Sequence, residues 1–190
     1  MAKIIPLKSA LENKSMRQEI MRSIREGMII VYPTDTVYGL GCNAENAKAV
    51  ARLREIKKAG HPLSVIAPSK RWIAENCVLT KPARQFLNKL PGKYTLILLK
   101  KHEAYLSAAS AGKTIGVRIP GHPFTGLVQK TGFPFITTSA NISGRPVVQN
   151  TGSIPFAQEI GMVIDGGRLG KKASKIIDFT GERALTVGRK

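Results

Sequence analysis

The stretch "MIIVYPTDTVYGLGCNA" (28–44) is the most informative part of the sequence about the fold. In it, an apolar run typical of a buried strand is followed directly by a polar loop. The first five residues of the stretch are wholly apolar, which is typical of a strand covered on both faces. Pro33 ends the strand, and the loop that follows holds Asp35, two threonines and a tyrosine. Gly39 and Gly41 would let the backbone approach a ligand closely. The loop is therefore either a ligand-binding segment or a tight turn in which Asp35 caps the backbone.

Strand and helix patterns alternate along the rest of the chain. Apolar runs predict strands at 28–32, 63–67, 94–99, 114–119, 133–138, 161–165 and 175–179. Amphipathic spacing predicts helices at 16–27, from Asn46, after Ser69 and around Pro82. Ser15 is the expected N-cap of the first helix, and Gly27 is its expected stop. Several strands follow one another without room for a crossover helix. The pattern therefore predicts a single α/β (α+β-like) domain over residues 1–190 with a mixed sheet.

Composition indicates a globular protein with a polyanionic partner. The 190 residues include 30 Lys and Arg against 12 Asp and Glu, a formal net charge of +18, while 43% are hydrophobic. That balance excludes a disordered basic tail. The chain shows no run of membrane-spanning length and no signal-peptide core, so we expect a cytoplasmic protein without membrane contact. Two cysteines and three scattered histidines form neither a disulfide framework nor a zinc spacing, and no metal site is expected.

The middle of the chain is basic and almost free of acids. Between Asn76 and Gln158 the only acidic residue is Glu103, against ten basic residues. Such a segment either carries a positive field suited to phosphate-rich ligands or forms a solvated surface. Charge alone does not separate a nucleotide from a nucleic acid.

Two further segments are more polar than the strands they follow. In "GVRIPGHP" (116–123), Arg118 lies between apolar neighbours, so its planar fork faces the opposite side of the strand. That side is either a cleft for a carboxylate or phosphate or a solvent-facing surface. "TTSANISGRP" (137–146) places five hydrogen-bonding side chains at a strand end, where open α/β sheets usually bind ligands. His122 before Pro123 suggests a helix entry.

Together these segments resemble the YrdC/TsaC family of threonylcarbamoyl-AMP synthases. "YPTDTVYGLGCNA", "LPGKYTLIL", "TIGVRIPGHP", "TTSANISGRP" and the "DGG" and "SKIID" pair are similar to the family's motifs and occur in the same order. The resemblance implies a twisted sheet with flanking helices and a deep, positively charged concave face. It also implies that L-threonine, bicarbonate and ATP, with Mg²⁺ on the triphosphate, give threonylcarbamoyl-adenylate and pyrophosphate. A separate transferase would then modify tRNA.

The resemblance also implies site residues. The matched positions on the threonine side are Thr34, Arg118, Ser139 and Ser174. The positions on the ATP side are Lys57, Lys58, His61, Thr114, Asn141, Gln149 and Arg189. No nucleophile is expected, because adenylation depends on positioning and charge stabilisation.

Two stretches depart from the family pattern. "REIKKAGHPLSV" (54–65) replaces a Lys-x-Arg that precedes Pro-Leu. Aligned without a gap, Lys57 stands where the arginine is expected; with a short deletion, Lys57 is the lysine and the arginine is missing. A lysine holds phosphate as a point charge without a bidentate fork. In the closing "ALTVGRK", Arg189 is either a shifted equivalent of a family arginine or a tail residue.

Two other functions remain as alternatives. One is a module of the same fold that binds tRNA or double-stranded RNA with weak or absent synthesis, which the charge and the missing arginine favour. Against a dedicated RNA reader, aromatic residues make up only 6% of the chain. The other is the related domain of hydrogenase-maturation proteins, which lies within longer chains that carry zinc-finger-like and acylphosphatase-like parts. We expect the short form of the synthase, without a further C-terminal domain.

Overall fold

Helices and strands alternate through residues 2–170, 172–181 and 183–188, which the computed structural model describes. The helices are α1 (Leu7–Glu12), α2 (Lys14–Arg25), α3 (Ala47–Lys57), α4 (Lys70–Asn76), α5 (Lys81–Phe86) and α6 (Pro123–Gln129). The strands are β1 (Lys3–Pro6), β2 (Ile30–Tyr32), β3 (Gly39–Gly41), β4 (Ser64–Ile66), β5 (Cys77–Val78), β6 (Tyr94–Lys100), β7 (Thr114–Arg118), β8 (Phe135–Ser139), β9 (Met162–Asp165), β10 (Lys175–Asp178) and β11 (Leu185–Val187). Short 3-10 helices lie at Leu87–Lys89 and Thr151–Ser153.

Local capping explains most of the helix starts. The Asn46 side chain accepts the Ala49 amide at 3.0 Å at the start of α3, as expected. The ring of His122 accepts a backbone amide at the start of α6, which confirms its helix-entry role. The prediction for α2 was wrong by two residues, because Asn13 is the N-cap and also accepts the Ser15 hydroxyl. Asparagine and serine cap helices about equally well, so the pattern alone did not separate them.

The sheet is mixed, which confirms the predicted fold class. Its strand order is β1-β9-β2-β3-β8-β4-β7-β6-β10-β11, and β5 pairs with β6. Parallel pairs, such as β4 with β7, and antiparallel pairs, such as β3 with β8, occur in the same sheet. The seven expected strands all form. The expectation missed β1, β3, β5 and β11, which are two to four residues long and form through pairing with their neighbours.

Two apolar layers cover the two faces of the sheet. Along β2, Ile30 and Tyr32 belong to one buried cluster and Val31 to the other, as the two-residue period of a strand requires. Helices α1, α2 and α6 contact one another and contribute to the smaller cluster. Helix α3 packs into the larger one. The loop after β2 connects two neighbouring strands inside the sheet, β2 and β3.

The two glycines of β3 are needed for packing within the protein. A Cβ built on Gly39 would lie 2.6 Å from the ring of Tyr32. A Cβ on Gly41 would overlap the carbonyl oxygen of Ile136 and the ring of Phe135. A side chain at either position would therefore displace protein atoms, while the backbone of Gly39 lines the cavity described below, so its approach to a ligand stays a prediction.

We expect Gly41→Ala to lower the free energy of unfolding by about 1–3 kcal/mol or more, the usual cost of overpacking. Gly126→Ala is the matched control, because Gly126 lies within α6 and its Cβ would meet nothing within 4 Å. Alanine favours a helix by about 0.8–1 kcal/mol over glycine, so this variant should be more stable than the wild type. Urea unfolding measures the free energy of unfolding of both variants. Equal changes in the two would contradict the packing argument.

Candidate functional site

A polar cavity of about 250 Å³ opens over the central strands. Its floor comes from β3, β4, β6, β7, β8 and β10, and its walls come from the loops that follow β2, α3 and β8. Its lining side chains include Thr34, Thr36, Tyr38, Lys57, His61, Ser64, Thr95, Arg118, Thr137, Ser139, Asn141, Ser143 and Ser174. Hydroxyls and three basic side chains dominate this lining, which suits an anionic, hydrogen-bonding ligand.

The loop after β2 places two threonine hydroxyls at the cavity. Thr34 Oγ1 donates to the Val37 carbonyl at 2.6 Å and accepts the Thr36 amide at 3.1 Å. The two hydroxyl oxygens are 2.9 Å apart. The loop is held by its own threonines, so Asp35 does not cap it.

Asp35 instead forms a buried ion pair with Arg118. Arg118 Nη2 donates to Asp35 Oδ1 at 2.9 Å, and the two side chains are 9% and 7% exposed. The other carboxylate oxygen of Asp35 accepts the Gly121 amide at 2.8 Å. Burial lowers the pKa of Arg118, and the nearby Asp35 carboxylate opposes that shift. The pair joins the loop after β2 to the end of β7.

Arg118 keeps one donor without a partner. Among the described residues, its Nε is the only buried side-chain nitrogen or oxygen that has no hydrogen bond. Leaving a buried donor unpaired costs about 1–3 kcal/mol. Because Arg118 lines the cavity, an acceptor oxygen of a ligand would remove that cost.

Lys57 ties the end of α3 to the turn after β8. Its ammonium donates to the Ser139 carbonyl at 2.8 Å, the Asn141 carbonyl at 3.1 Å and Asn141 Oδ1 at 3.0 Å. The Ser139 hydroxyl also donates to Asn141 Oδ1, at 2.6 Å. Lys57 is only 3% exposed. A single buried charge therefore fixes two of the predicted ligand side chains.

Arg54 anchors the loop that carries His61. Its guanidinium donates to four carbonyls, those of Ala59, His61, Ala108 and Ala109, at 2.8–3.2 Å. Partial burial, together with the charges of Lys57 and Arg54, lowers the pKa of His61. The imidazole is therefore neutral at neutral pH and offers a donor or an acceptor to the cavity.

On the opposite wall, Ser174 and Thr95 pair their hydroxyls at 2.8 Å. Both side chains are buried and line the cavity. Tyr38 braces the neighbouring loop, since its hydroxyl donates to the Gly167 carbonyl at 2.7 Å and accepts the Gly166 amide at 2.9 Å. Burial raises the pKa of Tyr38 to about 12, so it stays protonated at neutral pH.

Comparison with known proteins identifies the family. The Sua5/YciO/YrdC family model, whose description reads "Telomere recombination", matches residues 22–190. The chain belongs to the Sua5/YciO/YrdC family.

This chain matches different shares of two curated relatives. Threonylcarbamoyl-AMP synthase of Bacillus subtilis is 34% identical over 158 residues, which are 77% of this chain and 45% of that protein. YciO of Escherichia coli K12 is 31% identical over 175 residues, 86% of this chain and 84% of that protein. The chain thus spans about half the length of the B. subtilis relative and most of YciO.

The solved structures show the same fold. Sua5 of P. abyssi complexed with L-threonine superimposes with a TM-score of 0.86 at 28% identity, over 98% of this chain and 56% of that one. The E. coli YciO crystal structure gives a TM-score of 0.84 at 26% identity, over 98% and 95% of the two chains. These matches confirm the fold that the motifs implied.

This Sua5/YciO/YrdC protein brings together seven of the residues expected at the site. The cavity is lined by Thr34, Lys57, His61, Arg118, Ser139, Asn141 and Ser174. Their roles in binding stay predictions. The positive charge of the whole concave face also stays a prediction.

Three expected residues, Lys58, Thr114 and Gln149, are not among the cavity lining, and a fourth lies outside the described residues. Lys58 is exposed and ends α3 in the left-handed conformation, with φ 51°. Thr114 lies at the other end of β7 from Arg118, about 13 Å away at the usual rise of a strand. Gln149 lines a separate cavity together with Arg145 and Arg168. Arg189 lies outside the described residues.

Sequence reasoning missed the hydroxyls of the cavity floor. Ser64 stands opposite Thr137 across β4 and β8 and opposite Gly116 across β4 and β7. Thr95 contributes from β6. Both could have been found as small hydroxyl residues within otherwise apolar strands, on the face where neighbouring strands also carry small polar residues.

The described residues contain no cluster of three or more His, Cys, Asp or Glu side chains able to hold a metal ion. Nor does any helix among residues 2–170, 172–181 and 183–188 have the length and apolarity to cross a membrane. Both cysteines are buried and free, and burial raises the pKa of Cys42 to about 12 and that of Cys77 to about 11. Neither thiol is ionised at neutral pH.

We expect Lys57→Met to lower the free energy of unfolding by about 1–3 kcal/mol, because it leaves buried carbonyl oxygens without a donor. Lys58→Met is the matched control. Lys58 is the next residue and is exposed, so its substitution should change stability by about 0.5 kcal/mol or less. Urea unfolding of the two variants tests this expectation. Similar losses of unfolding free energy would show that the Lys57 hydrogen bonds contribute little to stability.

Proposed function

We propose that this protein makes threonylcarbamoyl-adenylate and pyrophosphate from L-threonine, bicarbonate and ATP. The observation that carries the proposal is Arg118, which lines a cavity rich in hydroxyls and whose buried Nε has no hydrogen-bond partner. Membership of the family, and the names of its relatives, support the same activity. The enzyme class would be nucleotidyltransferase.

The threonine side of the proposed site centres on Arg118. A guanidinium is suited to a carboxylate because its N–H groups point in fixed directions in one plane. The Nε–H would donate to a carboxylate oxygen of threonine. Thr34, Ser139 and Ser174 lie around the same cavity and would bind the amine and hydroxyl of the amino acid. P. abyssi Sua5, which has the same fold, has been solved with L-threonine.

The phosphate side of the proposed site lies toward Lys57, His61 and Asn141. Since Lys57 already donates to three oxygens, it would act on the triphosphate through its charge and through the turn that it holds. Among the residues that the structure describes, Arg118 is the one arginine of the cavity lining. Lys58, Thr114 and Gln149 contribute no lining and are left out of this part of the proposal. Mg²⁺ would enter bound to the triphosphate, as part of the substrate.

The reaction needs no enzyme nucleophile. The amine of threonine adds to bicarbonate with loss of water and gives a carbamate. A carbamate oxygen then attacks the α-phosphorus of ATP, and pyrophosphate leaves. The protein would hold the two substrates in line and stabilise the developing negative charge on phosphate, which are the main contributions expected in such transfers.

The product is a mixed anhydride that reacts readily with nucleophiles. A separate transferase would therefore receive the threonylcarbamoyl group and pass it to an adenosine of tRNA. We place the reaction in the cytoplasm, where ATP, threonine and tRNA are all present.

RNA binding is a second candidate function. The observation that favours it is the net charge of +18, because the described cavity lining includes only two of the 30 Lys and Arg residues. Most of the basic side chains therefore lie elsewhere and are available to phosphate groups of tRNA or double-stranded RNA. The two functions are compatible, because the same charge attracts a nucleotide and a nucleic acid.

Pyrophosphate release tests the synthase. Purified protein with ATP and bicarbonate should release pyrophosphate only when threonine is added. Arg118→Ala should raise the threonine concentration needed for half-maximal rate by about tenfold or more, since a charge-assisted hydrogen bond contributes about 1.5–3 kcal/mol. Folded wild-type protein without threonine-dependent release would overturn the proposal.

RNA binding is tested by affinity for tRNA and duplex RNA over a range of salt concentrations. If several phosphates are neutralised, the logarithm of the binding constant should fall steeply with the logarithm of salt. Weak binding whose constant depends only slightly on salt would exclude RNA as a ligand of this protein.

A further inference from the structure

Asp35 acts on the cavity through Arg118, because Arg118 lines the cavity and Asp35 does not. The Asp35 side chain is 7% exposed, and both of its oxygens are bound, one by Arg118 Nη2 and one by the Gly121 amide. The carboxylate is thus held in place from the turn after β7. A ligand that touches Arg118 lies next to this fixed negative charge.

The carboxylate changes what Arg118 can bind. A buried guanidinium without an acid beside it is a strong phosphate site, because its charge and its donors both fit the anion. Among the described residues, Asp35 is the one acid in ion-pair contact with Arg118. Its repulsion of a ligand grows with the ligand's negative charge. A phosphate group with several charges therefore loses more than a carboxylate with one.

The N–H donors of Arg118 that Asp35 does not use are suited to a small anion. Asp35 engages only Nη2, and Thr36 Oγ1 lies 3.5 Å from the same nitrogen. Nε remains without a partner. The guanidinium therefore keeps a hydrogen-bonding direction for one ligand oxygen while its charge is largely balanced.

We propose that Asp35 is a specificity-determining residue that reserves Arg118 for a singly charged carboxylate and keeps phosphate groups away from it. The inference rests on the proposed function, which places an amino acid and a triphosphate in one cavity. Without Asp35, the triphosphate of ATP or the pyrophosphate product would compete for the arginine that threonine needs.

Inorganic pyrophosphate is the probe, and isothermal titration calorimetry measures its affinity without ATP or threonine. Asp35→Asn should bind pyrophosphate at least about tenfold more tightly than the wild type, because a buried negative charge beside the ligand is gone. Glu75→Gln is the matched control, since Glu75 also pairs with an arginine, Arg71, but on an exposed surface. Its affinity should stay within about twofold, since exposed charges are screened.

A gain in affinity separates specificity from structural damage, which would weaken binding. The double variant Asp35→Asn with Arg118→Met should lose the gain, since the uncovered guanidinium is removed. Unchanged or weaker binding by folded Asp35→Asn, or a gain that survives in the double variant, would overturn the proposal.

The wild type gives a second measurement if Asp35→Asn does not fold. Its dissociation constant for threonine should change by less than about twofold when pyrophosphate is present at saturating concentration. Competitive displacement of threonine would show that phosphate reaches Arg118 and would overturn the proposal. If the wild type binds no threonine at all, the proposed function fails, while the pyrophosphate titrations still decide the role of Asp35.

Discussion

The buried ion pair between Asp35 and Arg118 is the constraint on which the cavity depends. Arg118 lies on a central strand between two buried apolar residues, where an unpaired guanidinium would be costly to desolvate. Asp35 provides the opposite charge from a loop 83 residues earlier in the chain. The same carboxylate holds the turn at Gly121. Strand β7, the loop after β2 and the start of α6 are therefore positioned relative to one another by one side chain.

A second buried charge organises the other wall. Lys57 ends α3 and bonds the carbonyls of Ser139 and Asn141, so a helix end and a strand end meet at a fixed distance. Between the two charges, the floor is made of small hydroxyl residues on neighbouring strands. They leave space above the sheet where isoleucine or valine would fill it. The cavity is thus a polar interruption of the larger apolar core.

In the proposed function, this arrangement would let one cavity hold the carboxylate of threonine and the triphosphate of ATP. The described contacts of the two charged centres differ, because Arg118 pairs with a carboxylate, whereas Lys57 donates to backbone carbonyls and to a side-chain amide oxygen. A triphosphate would be drawn toward Lys57 and His61, and a carboxylate would be accepted at Arg118.

Period and local order in the sequence were enough to predict the fold class, seven of the eleven described strands and the motifs that indicate the family. The sequence also identified Thr34, Arg118, Ser139 and Ser174 as neighbours through resemblance. Only the tertiary structure decided that Asp35 pairs with Arg118, that Gly39 and Gly41 pack against protein, and that Thr114 and Gln149 lie away from the cavity. These facts depend on strand register and on contacts between residues far apart in the chain, and local pattern carries neither.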